Sequence, residues 1–122
     1  MLDLLRFAIV FPVRATPRTS YNAAMQLNER QKKHLRRLGH ALHPIVNLGN
    51  SGLTDGVAAE MDRALNDHEL VKVRARVGER EARDTALDEL AMRTKSTIVQ
   101  RIGNVGLYFR PNPKLSRIVI PD

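Results

Sequence analysis

The stretch IVNLGNSGLTDGV (Ile45–Val57) contains the signals for a strand, a tight turn and a helix start within thirteen residues. Ile45–Leu48 is short, apolar and partly β-branched, which is typical of a buried strand. The segment Gly49–Gly52 begins and ends with glycine and contains asparagine and serine, the residues that turns accept most readily. Thr54 can cap the helix that follows. A strand joined by a tight turn to a helix indicates an α/β fold.

Upstream of this stretch, the sequence predicts an amphipathic helix that begins after Asn28 and ends near Arg37 or Leu38. Asn28 and Gln31 form a capping-box pattern. Gly39 is expected to end the helix, because glycine accepts the left-handed conformation of many helix ends. The inward stripe of this helix is expected to comprise Gln31, Leu35, Leu38 and Leu42.

The other side of this helix is densely basic. Glu29 offers the only acidic charge among its residues. Surface helices usually mix charges of both signs, so this density favours contacts with phosphate groups, and an ordinary solvated face is the alternative. The basic residues are Lys32, Lys33, Arg36, Arg37 and His40.

Downstream of the opening stretch, alternating apolar residues and turn signals predict further strands and one more helix. The predicted order is α-β-α-β-α-β-β, an α/β domain with a mixed four-stranded sheet, because crossover units give parallel pairing and the final hairpin gives antiparallel pairing. The predicted segments are a strand at Glu69–Ala75, a helix at Arg80–Thr94, strands at Thr97–Ile102 and Val105–Phe109, and a further edge strand at Leu115–Ile120.

The chain has 122 residues and no cysteine. The length fits one domain, and the absence of cysteine excludes disulfides, thiolate metal sites and cysteine catalysis. It is compatible with a reducing compartment, and we expect a cytoplasmic protein. No apolar run approaches the roughly 18 residues of a membrane span. We interpret residues 1–24 as a poorly ordered extension upstream of a true start at Met25, and residues 25–122 as the domain.

The formal net charge is +7, and it is unevenly distributed. Residues 25–53 carry a net charge of +4 and residues 91–122 carry +5, whereas residues 54–90 carry −4. This asymmetry predicts one basic face, and a polyanion such as nucleic acid is the partner that such a face favours.

The turn at Gly49–Gly52 is the candidate binding element. Free N–H groups at a helix start attract anions, and a GXXG loop clamps the nucleotide backbone in KH domains; a plain strand-to-helix turn is the alternative. The glycine spacing does not fit a dinucleotide fingerprint, and Ser51 does not fit a nucleophile elbow. The four histidines show no metal-ligand spacing, and no catalytic pair or triad emerges. We therefore expect no enzyme, no metal and no cofactor.

Two further groups near the end of the chain could extend a binding surface. Arg110, Lys114 and Arg117 would add positive charge. Tyr108 and Phe109 alternate along a strand, so one of them is expected to face outward, where it could stack on a base.

Taken together, these residues resemble the CRM domain family (chloroplast RNA splicing and ribosome maturation) over about Met25 to Pro121. Many loops of this family hold a basic residue between the glycines, whereas Asn50-Ser51 is neutral here, so contact would rest on backbone amides and flanking charge. The similar segments are LNERQKKHLRRLGHALHPIVNLGNSGLTDGV (27–57), HELVKVR (68–74), the helix ending at Thr94, VQRIG (99–103) and LYFRP (107–111).

The resemblance implies a fold like the C-terminal domain of bacterial translation initiation factor three. It also implies an RNA-binding protein that associates with precursors of the large ribosomal subunit, as a single-domain protein for which a monomer is favoured. A small phosphate-ligand enzyme and a DNA-binding or protein adaptor are the alternatives. The residues expected to bind RNA are Gly49, Asn50, Ser51, Gly52, Thr54, Lys32, Lys33, Arg36, Arg37 and Arg110.

Overall fold

The computed structural model describes residues 26–115 and 118–121. The expected extension, Met25 and Arg117 lie outside the described residues. The predicted α-β-α-β-α-β-β order is confirmed. The helices are α1 (Glu29–His40), α2 (Asp55–His68) and α3 (Arg80–Thr94). The strands are β1 (Val46–Leu48), β2 (Leu70–Ala75), β3 (Thr97–Ile102) and β4 (Val105–Phe109).

The four strands form one mixed sheet in the order β1-β2-β4-β3. β1 and β2 are parallel, and the β2–β4 and β3–β4 pairs are antiparallel. The pairing of Leu48 with Ala75, and of Arg74 and Ile102 with Val105, fixes which strand ends meet. The turn after β1, the residues after β2 and the β3–β4 hairpin therefore share one end of the sheet, which we call the loop end.

Both faces of the sheet are covered by helices. Along β4, Leu107 and Phe109 pack against Leu35 of α1, whereas Tyr108 packs among side chains of α2 and α3. We call the first of these the α1 face. Tyr108 and Phe109 are both fully buried, so the expectation that one of them stacks on a base is wrong. The physical reason is that helices cover both faces of the sheet, so successive side chains of β4 enter two different buried clusters on opposite faces.

The predicted edge strand at Leu115–Ile120 is absent from its described residues. Leu115 donates a backbone hydrogen bond to the Asn112 carbonyl oxygen, which closes a turn. The N–H of Ile118 donates to the buried Glu69 carboxylate at 3.2 Å rather than to a strand. Glu69 also accepts from the Asn112 N–H at 2.7 Å, so its side chain helps to hold the C-terminal segment against the domain.

The start of α1 is as predicted, and its end is not. The capping box is present, with Asn28 and Gln31 each accepting from the other's backbone N–H. The helix continues through Gly39 to His40, and Ala41 is the C-cap. Gly39 is buried, and a Cβ added to it would lie 2.5 Å from Cδ2 of Leu107. Its function is therefore to let α1 approach the sheet closely.

Gly39→Ala is expected to destabilise the protein by roughly 1–3 kcal/mol, the usual cost of overpacking a core. That cost outweighs the gain of about 1 kcal/mol in helix propensity. Urea unfolding measures the change. Gly78→Ala is the matched control, because its added Cβ meets no atom within 4 Å. Equal stability of the Gly39 variant and the wild type would show that the close approach is not needed.

Candidate nucleic-acid interface

The turn Gly49–Gly52 lies at the loop end of the sheet, between β1 and α2. The N–H of Gly52 donates to the Gly49 carbonyl at 2.9 Å, and Gly52 has a φ of +70°. A non-glycine residue would be strained in that left-handed region. Asn50 and Ser51 are exposed at the tip of the turn. Their backbone N–H groups make no hydrogen bond within the described part of the chain, so they are available to an external acceptor.

Neither packing nor backbone conformation within the fold requires glycine at position 49. A Cβ added there would meet no described atom within 4 Å, and Gly49 is not among the residues with positive φ. The fold would therefore accept alanine at this position. A requirement for glycine would come from a ligand that approaches the backbone from outside.

The start of α2 already has a negatively charged side chain in its first turn. Thr54 caps the helix by accepting from the Val57 N–H at 3.2 Å. Asp55 lies in the first turn and forms an ion pair with Arg93 at the end of α3, at 2.8 Å. A carboxylate in this position complements the helix dipole. The exposed amides of the turn, rather than the helix end, are consequently the better candidate for an anion contact.

The basic residues of α1 lie above the opposite edge of the sheet. In the described part of the chain, Lys33, Arg36 and Arg37 form no side-chain hydrogen bond or ion pair. Lys32 differs, because its ammonium lies 3.5 Å from the Glu29 carboxylate. Side chains of α1 and β3 together line a shallow groove, formed by Lys33, Arg36, Arg37, His40, Gln100 and Ile102.

A row of strand residues on the α1 face runs from the strand before the turn to the strand that lines the groove beside α1. The sheet register places Asn47, Arg74, Val105 and Ile102 in one row that runs from edge to edge. Strands are about 4.8 Å apart, so the row spans roughly 14 Å. Sequence reasoning did not select Arg74 or its neighbour Lys72 as site residues. The signal was present, because the period-two pattern of β2 turns both residues away from the α2 and α3 core.

Arg110 has partners inside the fold. Its guanidinium donates to the carboxylate and the carbonyl of Asp62, at 2.8 and 3.1 Å. It also donates to the Thr94 carbonyl at 2.6 Å and to the Asn66 side chain at 3.1 Å. These bonds tie the end of β4 to α2 and α3. The structure therefore gives Arg110 a structural role, and we leave it out of the candidate interface.

Charges divide between the two faces as the sequence predicts. Helix α1 carries five Lys or Arg residues and one acid, whereas α2 and α3 together carry four and eight. Three of the four cations of α2 and α3 lie near these acids, although only one of them forms a close ion pair. Arg80 and Arg83 approach Asp84, and Arg93 binds Asp55. The cations of the α1 face are mostly unpaired, so positive potential is concentrated there.

Other kinds of site were sought in the same residues. Within residues 26–115 and 118–121, no group of three or more His, Cys, Asp or Glu side chains could hold a metal ion. None of the helices in those ranges has the length and apolar character that crossing a membrane requires.

The chain is similar to known proteins over most of its length. The CRS1 / YhbY (CRM) domain model matches residues 27–110. "Probable RNA-binding protein PA4753" of Pseudomonas aeruginosa is 48% identical over 90 residues, which is 74% of this chain and 86% of the relative. An "RNA-binding protein" of Haemophilus influenzae is 40% identical over 95 residues, covering 78% and 95% of the two chains.

A solved structure has the same fold. The solution structure of the Staphylococcus aureus hypothetical protein SAV1595, described as a candidate RNA-binding protein, matches with a TM-score of 0.68 and 28% identity. The match covers 79% of this chain and all of that one. The mixed α/β architecture described above is therefore shared with that protein.

Proposed function

This chain belongs to the CRS1/YhbY (CRM) domain family, and we propose that it binds RNA through the α1 face and the loop end of its sheet. The observation that carries the proposal is the separation of charges. Unpaired cations of α1 and β2 lie on the α1 face, and the exposed amides of Asn50 and Ser51 lie at the loop end of the same sheet. RNA phosphates require such donors.

In this proposal, the turn Gly49–Gly52 clamps the RNA backbone and α1 supplies electrostatic docking. Thr54 acts indirectly, since its side chain holds the start of α2. Lys32 contributes less than Lys33, because Glu29 partly neutralises it. Contacts of this kind read phosphates rather than base edges, so binding is strongly salt-dependent and only modestly sequence-specific.

We further propose that the RNA is ribosomal RNA in a precursor of the large subunit, that the protein acts as a cytoplasmic monomer and that it catalyses no reaction. The resemblance to the CRM family supports this assignment. The names of the relatives support RNA as the ligand class. Sedimentation of cell extracts tests the assignment, because the protein should co-migrate with large-subunit precursors rather than with mature subunits.

Removing three unpaired cations of α1 with Lys33→Gln/Arg36→Gln/Arg37→Gln is expected to weaken RNA binding about 30-fold. Removing one cation that neutralises a phosphate lowers the salt slope by about 0.7–0.9, so removing three lowers it by about 2–3. Fluorescence anisotropy over a salt series, with structured RNA and duplex DNA as ligands, measures both quantities. We expect the wild type to prefer RNA.

The control for position is Arg63→Gln, which removes one cation exposed on α2, behind the sheet. The control should bind RNA like the wild type. An equal loss per charge removed in the two variants would show that general charge, not the α1 face, drives binding. Preference for duplex DNA, or turnover of a phosphate ester, would favour the alternative functions.

A further inference from the structure

We propose a second phosphate-binding site at the loop end of the sheet, formed by Arg74, Arg76, Arg83 and Asn104. The inference rests on the proposed RNA binding and extends it to side chains that neither the turn nor α1 contains. The ligand is a phosphodiester group of the same RNA strand whose neighbouring phosphate lies on the turn. We call these four residues the arginine pocket.

The arginine pocket is a polar depression between the end of β2, the β3–β4 hairpin and the first turn of α3. The Ala75 N–H donates to the Asn104 carbonyl at 2.7 Å, which fixes the hairpin beside β2. The Arg76 N–H donates to the Leu48 carbonyl at 2.7 Å, which fixes this residue directly beside the turn. Its lining comprises Arg74, Ala75, Arg76, Val77, Arg83 and Asn104.

Among the described side chains, two of the three guanidinium groups of the arginine pocket are fully available to a ligand, and the third has only a long contact. Arg74 and Arg76 make no side-chain hydrogen bond or ion pair within the described residues. Arg83 has one long contact, 3.9 Å from Asp84, and its buried Nε lacks a hydrogen-bond partner in the same residues. Asp84 is shared with Arg80 and Arg101, at 4.0 and 3.8 Å. The local charge therefore stays positive, in contrast to the fully engaged Arg110.

The chemistry of the arginine pocket fits a phosphate group. Guanidinium groups bind phosphate oxygens through paired N–H donors, and those of Arg74 and Arg76 have no partner within the described residues. Outside Asp84, the nearest acidic residues along the chain are Glu79 and Glu81, and both are exposed. One strand spacing of about 4.8 Å separates β1 from β2. A single RNA strand can thus contact the turn and the arginine pocket with nearby phosphates.

Arg74→Gln/Arg76→Gln tests the proposal in the full chain with the structured RNA described above. We expect binding about tenfold weaker and a salt slope lower by about 1.4–1.8, because two cations no longer neutralise phosphates. The weakening should be uniform across RNA sequences. Arg63→Gln is again the control. Arg83→Gln, which leaves β2 unchanged, should weaken binding in the same direction and keeps the test valid if the double variant folds poorly.

Three outcomes would overturn the proposal. Wild-type affinity and salt slope in both variants would show that the arginine pocket does not contact RNA. A changed base preference with an unchanged slope would assign these arginines to base edges. Competition by inorganic phosphate at concentrations far below those that screen RNA binding would indicate a site for free phosphate. If the wild type itself fails to bind RNA, the proposed function fails first, and that result is distinguishable from weaker binding in the variants alone.

Discussion

Asn50→Asp/Ser51→Asp is expected to weaken RNA binding by about 100-fold without loss of fold, which corresponds to about 2.7 kcal/mol. Both side chains are exposed at the tip of a turn whose closing hydrogen bond joins Gly49 and Gly52. The turn geometry therefore does not depend on them. Asparagine, aspartate and serine all favour turns, so the substitutions are compatible with the local backbone.

The size of this effect follows from like-charge repulsion at short range. Two unit charges about 4 Å apart interact by about 1 kcal/mol in bulk water and about 4 kcal/mol near a protein surface. A phosphate held by the amides of residues 50 and 51 would meet two new carboxylates at such distances. Asp55 already offers a carboxylate beside the turn, and Arg93 balances it. The carboxylates introduced at positions 50 and 51 have no arginine partner of this kind.

Matched variants separate this explanation from a change in overall charge. Asn66→Asp/Met92→Asp adds two carboxylates at exposed positions in the last turns of α2 and α3, behind the sheet, and should cost at most a few-fold in affinity. Gly49→Ala adds no charge and fits the fold, because its Cβ has open space around it. Weaker RNA binding by a stable Gly49→Ala variant would directly indicate close backbone contact. Wild-type binding by both loop variants would exclude the turn from the interface.

Local sequence signals predicted the order of the elements from α1 to β4 correctly, but not the end of α1 or the absence of a strand in the described residues of Leu115–Ile120. The capping box at Asn28, the glycine turn and the two-residue hairpin each depend on residues within a few positions of one another, so their chemistry is visible in the sequence. Alternation along β2 likewise predicted which side chains leave the core. The candidate turn and the basic row of α1 were predicted on the same grounds, and their contact with RNA stays a prediction.

Contacts between distant residues could not be predicted. Gly39 looked like a helix terminator because its packing partner, Leu107, lies in a strand far along the chain. Arg110 looked like a surface cation because its partners belong to α2 and to the end of α3. The arginine pocket also depends on residues that are distant in sequence, since the order of the strands in the sheet brings Arg76 and Asn104 together. Each of these features depends on tertiary packing, which local propensity does not encode.

Tyr108→Phe is expected to change the pH dependence of stability. Burial raises the pKa of Tyr108 well above its ordinary value; the positive charge of Arg101 opposes this shift, and Asp88 adds to it. The phenol donates to the Leu87 carbonyl at 2.7 Å. At neutral pH, removing this hydrogen bond should cost about 1–2 kcal/mol, because it leaves the buried Leu87 carbonyl of α3 without this donor.

The sign of the pH effect follows from the direction of the shift. In the unfolded chain the phenol ionises near pH 10, whereas in the folded protein it stays protonated. Above about pH 10 the folded state binds more protons, so its stability falls by about 1.4 kcal/mol per pH unit. The variant has no phenol here and escapes this loss. Its disadvantage should therefore shrink as pH rises, and the two proteins should be equally stable near about pH 11.

Urea unfolding of both proteins from about pH 7 to about pH 11 measures this difference, and the comparison cancels the titration of lysines that they share. A difference that stays constant with pH would show that the phenol ionises as readily in the folded protein as in the unfolded chain. Burial of Tyr108 would then be looser than described. Because Tyr108 joins the central strand β4 to α3, that result would also weaken the placement of the hairpin beside the arginine pocket.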